Sequence, residues 1–191
     1  MFMKTIIVSV VTLLATASAT ALVAQQRQWE DAQKLKPAHV TSHERIAPAN
    51  EPGTPLTIHG VVLDAAGKPA AGVEVFAYHT DRTGLYALPA AADPWRLKGW
   101  AVTDAEGRFE FRTIRPAPYP NRPIPAHVHV TLSAACCGRQ FHELMFEGDP
   151  LATKEYRERF ASAGEHGIYA TVNRGAGGGE EVNYTVRLRT R

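Results

Sequence analysis

The chain has 191 residues, 45% of them hydrophobic and 21% charged, the composition of a soluble globular protein with a core of ordinary domain size. Collagen-like repeats and wholesale disorder are thereby excluded. Twenty-one lysines and arginines stand against 19 acidic residues, a formal net charge of +2. That is too near balance for a chain that binds nucleic acid or an anionic membrane surface through bulk charge.

Residues 1–24 run from Lys4 through an apolar stretch at 6–14 to small residues ending at Ala24, the order of a secretory signal peptide. The apolar stretch falls short of the roughly 20 residues that span a bilayer. The expectation is therefore a cleaved signal, a mature protein without a stable membrane anchor, and a periplasmic or secreted location. Residues 25–55 are polar and carry Pro37, Pro48, Pro52 and Pro55. They read as an extended N-terminal arm, with helix-forming composition over 28–35. The domain proper is expected over 56–191.

Within it, residues 56–63 (LTIHGVVL) are β-rich and run into the turn Asp64-Ala65-Ala66-Gly67-Lys68-Pro69. Residues 73–78 alternate, setting Val73, Val75 and Ala77 on one face and Glu74, Phe76 and Tyr78 on the other. A strand over 100–103 leads through the turn Asp104-Ala105-Glu106-Gly107 into the strict alternation of 108–112. Further strands are expected over 127–132, 141–146 and 183–189, and one short helix over 153–163. Short strands at intervals with turn chemistry between them predict an all-β fold, an antiparallel β-sandwich or an open barrel, of which the sandwich is the expectation carried forward. The run Arg174-Gly175-Ala176-Gly177-Gly178-Gly179 lacks the Lys-Ser or Lys-Thr of a phosphate cradle and reads as a surface loop. The adjacent Cys136 and Cys137 lack the spacing of a thiolate metal site and, as neighbours, are expected to stay free thiols.

His127 and His129 are two apart in a predicted strand, so their imidazoles leave the same face, close enough to share a metal. Alone, such a pair is equally at home as two strand histidines. Tyr119 lies eight residues upstream after a proline-rich stretch, and Tyr86 ends Thr83-Gly84-Leu85-Tyr86. A phenolate is a hard anionic donor suited to Fe(III), and neutral imidazole suits several transition metals. Two of each would lower the charge of a ferric ion to about +1 and leave room for another anionic oxygen ligand. His59, His79, His142 and His166 are scattered and read as surface or packed histidines. His79 and Asp81 precede the Tyr86 turn and are candidates to support it, while Trp95 and Trp100 are expected to pack or to wall a pocket.

Residues 57–150 resemble the intradiol ring-cleavage dioxygenases, non-haem iron(III) enzymes that open catechols between the two hydroxylated carbons. The resemblance rests on pieces in one order: Asp64 to Pro69 with Ala71-Gly72-Val73, Gly84-Leu85-Tyr86, Thr103 to Phe109, Thr113-Ile114-Arg115-Pro116, Tyr119-Pro120, Pro125-Ala126-His127-Val128-His129, and Phe146-Glu147-Gly148-Asp149-Pro150. It implies that Tyr86, Tyr119, His127 and His129 ligate the iron, with Tyr119 and His129 axial and Tyr86 and His127 equatorial. It further implies a small aromatic diol and dioxygen as substrates, cis,cis-muconate-type diacids as products, and a Tyr119 that leaves the metal to help accept a substrate proton.

The chain departs from the family pattern twice. The arginine that relatives commonly carry three residues before the first histidine is Ile124 here, with Arg122 nearby as the candidate to replace it as a catalytic group. Where many relatives have a glutamine lining the site, this chain has Glu143, with Gln140 three residues earlier. A carboxylate there disfavours an anionic substrate unless it is protonated or turned away. Two other readings stay open: a non-catalytic β-sandwich binding module, and a metal-binding relative without ordinary catechol turnover. The sequence also leaves a homo-oligomer open.

Overall fold

The computed structural model describes residues 26–87, 93, 95–162, 167–175 and 177–190. The expected export segment 1–24, Ala163 and His166 lie outside the described residues. The chain divides into two compact units, Met1–Lys36 and Pro37–Arg191. In the first, residues 26–33 form a helix, α1, with side-chain bonds one turn apart from Gln26 Nε2 to Glu30 Oε1 (2.7 Å) and from Lys34 Nζ to Asp31 Oδ1 (2.7 Å).

The second unit is a sandwich of two five-stranded sheets. Its strands are β1 (His43–Arg45), β2 (Pro55–Leu63), β3 (Glu74–His79), β4 (Leu97–Val102), β5 (Arg108–Ile114), β6 (His127–Ala134), β7 (Gly138–Phe146), β8 (Gly167–Ala170), β9 (Val172–Arg174) and β10 (Glu180–Arg187), and one helix, α2 (Lys154–Ser162), lies between β7 and β8. One sheet has the order β1-β5-β2-β10-β9, the other β4-β3-β6-β7-β8. In the longer strands the inward residues follow the two-residue period read from the sequence. Leu56, Ile58, Val62, Phe109, Phe111, Val182 and Tyr184 from the first sheet meet Val75, Ala77, Val128, Val130, Leu132, Leu144 and Phe146 from the second in one buried core.

The sheets are mixed rather than antiparallel, which corrects the expectation. β1 runs parallel to β5, β10 to β2, and β8 to β7. Alternation fixes which face a side chain takes but carries no strand direction. Direction comes from the connections: α2 is the crossover that returns the chain to lay β8 parallel to β7. β1, β8 and β9 have only three or four residues each, too few to declare themselves by period. β1 lies within the arm, and Ile46 and Ala47 after it are buried in the core. The glycine-rich run closes the turn between β9 and β10, with Gly175 N–H donating to Gly179 O (2.8 Å).

Cys136 and Cys137 are joined in a disulfide rather than free, a second correction. They sit in the turn between β6 and β7, whose ladder runs up to the pair Ala134 and Gly138, so both sulfurs are held in the same tight bend.

Candidate functional site

Because Val128, Val130 and Leu132 face the core, His127 and His129 stand on the outer face of the second sheet. Two loops cover them there. Tyr86 comes from the loop between β3 and β4, Tyr119 from the loop between β5 and β6. The first loop is built around Asp81, whose Oδ1 accepts from Thr83 N–H (2.8 Å), Thr83 Oγ1 (2.6 Å) and Leu85 N–H (3.2 Å), an Asx-type turn. Asp81 N–H donates to Leu85 O (2.8 Å), and Arg96 N–H to Tyr86 O (2.9 Å). Ala117 N–H donates to Asp81 O (3.1 Å), which ties the second loop to the first.

Four donor atoms converge between these loops and the sheet. The phenolic oxygens of Tyr86 and Tyr119 are in direct hydrogen-bond contact. Tyr86 Oη lies 2.8 Å from His129 Nε2, Tyr119 Oη 3.3 Å from His127 Nε2, and the two imidazole Nε2 atoms 3.1 Å from each other. All four residues singled out as metal ligands are thus brought together. Separations near 3 Å are what donors sharing one ion at bonds of about 2.0–2.2 Å require. His127 Nδ1 donates to Pro125 O (2.7 Å), which leaves its Nε2 lone pair directed at the cluster.

The electrostatics fit the same use. Burial pushes the Tyr86 phenol far above its ordinary value, helped by its bond to Tyr119. Burial also raises Tyr119, as does the Glu143 carboxylate, while the bond from Tyr86 and the charge of Arg122 act in the opposite direction. His129 is held well below its ordinary value, first by burial and then by the neighbouring His127 and His79. Protonated phenols and a neutral imidazole crowded this closely are a donor set that a highly charged cation would stabilise by displacing the phenolic protons. The residues present could therefore hold a ferric ion.

The remaining candidates take separate places. Arg122 is exposed in the Tyr119 loop, its N–H 3.5 Å from Tyr119 O, and Ile124 is half-buried beside it. Glu143 Oε1 lies 3.4 Å from His129 Nδ1, so the carboxylate is turned toward the imidazole. His127, His129 and Glu143 bring one donor atom each within 4.8 Å of one another. Gln140 is directed to the segment after β10 instead, its Nε2 donating to Arg189 O (2.8 Å). His79 is buried in the core on the opposite face, donating from Nδ1 to Thr80 O (2.7 Å) and accepting at Nε2 from Thr113 Oγ1 (2.6 Å).

Two residues at the site were not singled out as close partners of a ligand. Tyr78 stacks on the His129 ring (centroids 4.6 Å apart, 19° between planes), and Trp95 stacks on Tyr78 (4.0 Å, 15°). The signal for Tyr78 was its outward position in the alternation of β3, since His129 is its cross-strand partner. Trp100 packs on Phe76 (5.0 Å) at the far end of this row.

The family model described as Dioxygenase matches residues 33–190, well over half of the chain. Catechol 1,2-dioxygenase 1 of Acinetobacter lwoffii is 30% identical over 142 residues, covering 62% of this chain and 46% of that protein. The protocatechuate 3,4-dioxygenase beta chain of Burkholderia cepacia is 37% identical over 111 residues, covering 52% and 47%. The chain spans about half the length of the curated relatives it matches. Among solved structures, the dioxygenase domain of a dioxygenase carbohydrate-binding protein fusion from Streptomyces sp. SirexAA-E superposes with a TM-score of 0.60 at 27% identity, covering 81% of this chain and 92% of that one. The catechol 1,2-dioxygenase of Pseudomonas arvilla shares the fold, with a TM-score of 0.62 at 24% identity over 89% of this chain and 68% of that one. A sandwich matched by this family model along most of its length, with its motif residues gathered on one face, belongs to the intradiol ring-cleavage dioxygenase family.

Proposed function

We propose that this chain is an intradiol dioxygenase that opens catechol-type aromatics with dioxygen to cis,cis-muconate-type diacids, at a ferric ion held by Tyr86, Tyr119, His127 and His129. The observation that carries the reading is the convergence of two phenolic oxygens and two imidazole nitrogens from three separate segments. The names of its relatives, catechol 1,2-dioxygenase and protocatechuate 3,4-dioxygenase among them, support the substrate class. When bound, the ferric ion would supply the Lewis acidity that draws a catechol in as its dianion and makes the ring reactive toward dioxygen.

The chain's own groups then divide the work. Tyr86 is pinned through Arg96 N–H on its carbonyl and the Asp81-centred turn before it, so it is the tyrosine that stays in place. Tyr119 lies between Pro118 and Pro120, outside any strand, and among the described residues the one backbone bond to its carbonyl is the long 3.5 Å contact from Arg122 N–H. It is therefore the tyrosine free to swing aside, and, as the phenolate it would be in the iron-loaded protein, to take a proton at its oxygen from a catechol hydroxyl. Arg122, whose charge acts on the Tyr119 phenol, offers a positive group for an anionic substrate. Tyr78 and Trp95 wall the site and exclude water from one side.

The visible spectrum of the purified, iron-loaded protein tests this. Tyrosinate-to-iron charge transfer is expected to colour it red to burgundy. Tyr86→Phe and Tyr119→Phe are each expected to alter the band, and Arg122→Ala to lower turnover while the colour remains. A colourless protein holding stoichiometric ferric iron would sink the assignment. A second reading, a metal-binding relative without ordinary catechol turnover, is favoured by Ile124 and Glu143. Oxygen uptake with catechol, hydroxyquinol and protocatechuate separates the two, because the second reading expects colour without uptake.

A further inference from the structure

The ladder between β6 and β7 sets Glu143 directly opposite His129, and that between β3 and β6 sets Tyr78 opposite it on the other side. Cross-strand partners leave the same face of a sheet, so His129 stands in a row of three, between an aromatic ring and a carboxylate. Tyr78 lies flat against the imidazole and is itself backed by Trp95, which fixes the plane of the ring. Glu143 Oε1 lies 3.4 Å from Nδ1, while Nε2 faces Tyr86 Oη at 2.8 Å and His127 Nε2 at 3.1 Å.

His127 makes the useful comparison. Its Nδ1 donates to a neutral acceptor, Pro125 O at 2.7 Å, and its Nε2 points inward. The two histidines therefore present the same nitrogen to the cluster, and each has an acceptor behind Nδ1. They differ in that only His129 is backed by a charged group.

We infer that Glu143 is a positioning residue for His129: its carboxylate stands as acceptor to the Nδ1–H and holds the imidazole in the tautomer with the Nε2 lone pair directed at the metal. A carboxylate behind a ligating histidine fixes both ring orientation and tautomer and strengthens the donor. This rests on the metal reading proposed above. It also gives the carboxylate at this position a use that does not require contact with the substrate.

The test has one arm without metal and one with it. In the metal-free protein, side-chain 15N NMR should find His129 with its proton on Nδ1. Glu143→Gln, whose amide oxygen still accepts, should keep that tautomer, and Glu143→Leu should lose the preference. In the iron-loaded protein, chelator competition should reveal a loss of iron affinity of about 10- to 100-fold for Glu143→Leu. A smaller loss is expected for Glu143→Gln, with the charge-transfer colour present in both. An unchanged tautomer in Glu143→Leu overturns the inference, as does a changed tautomer with iron affinity intact. If the wild-type protein takes up ferric iron without colour, the metal reading fails instead, and the metal-free arm still reports on the pairing of Glu143 with His129.

Discussion

Gly84 decides how closely the two tyrosine loops approach. Its φ is +82°, and a Cβ there would lie 2.2 Å from Pro118 O and 2.9 Å from Pro120 Cδ, the two residues flanking Tyr119. A side chain would be strained by the backbone and would also drive the Tyr119 loop away from the Tyr86 loop. Gly84→Ala is expected to cost more than about 1 kcal/mol of stability and to weaken ferric iron uptake together with its charge-transfer absorption. Thermal unfolding and iron titration of the variant check this, and a wild-type Tm with wild-type iron uptake would count against the role. At this scale the sequence was readable where chemistry resides in residue type. Two histidines two apart on a strand must share a face, and Tyr86 and Tyr119 declared themselves through the family motifs around them. The orientation of Glu143 was not readable. Whether a carboxylate turns toward a pocket or toward a neighbouring imidazole depends on the pairing of β6 with β7, which local pattern does not specify.

Among the elements, the longer strands were legible because each has one buried face and hence a strict alternation, as in β2 and β10. β1 was hidden by its three residues and by the prolines around it, yet it fastens the chain at the edge of its sheet. Ile46 N–H donates to Arg112 O (2.9 Å), and the Ile46 side chain occupies the space over Gly99, where a Cβ would come within 2.8 Å of its Cγ1. This contact joins the segment after β1 to β4 of the opposite sheet. Ile46→Ala is expected to cost about 2–4 kcal/mol, since the surrounding strands cannot close over the lost methyl and methylene groups. Denaturant unfolding measures it directly, and a loss below about 1 kcal/mol would mean that the segment is not a working part of the core. The parallel pairs were missed for a related reason. They join strands far apart in the chain, or separated by α2, and their direction is a property of the connection rather than of either strand.

For the molecule as a whole, His79 is a buried polar link between the sheets. It ends β3 in one sheet and accepts from Thr113 Oγ1 of β5 in the other, both side chains being buried. Burial lowers its pKa from 6.5 to about 4, against the weaker opposing pull of its bond to Thr80 O and of the Glu51 carboxylate. The unfolded chain therefore binds a proton on this histidine at a higher pH than the folded one does. Its contribution is complete above pH 6.5 and is lost progressively as pH falls toward 4, by roughly 3 kcal/mol in all. His129, also pushed down by burial, acts in the same direction. Glu51 and Asp81, whose pKa values are lowered from 4.5 and 3.8, lose their stabilising contributions only in more acid solution. His79 alone should thus cost the metal-free wild-type protein about 1–2 kcal/mol between pH 6.5 and 5, and His129 adds to that loss. His79→Gln, which retains an acceptor and a donor but does not titrate, should flatten that part of the curve without abolishing it, because His129 still titrates. Thermal unfolding of both proteins at pH 7, 6 and 5 makes the comparison. Parallel curves would mean that His79 takes up its proton equally in the folded and unfolded chains and that the link between the sheets does not depend on its neutrality.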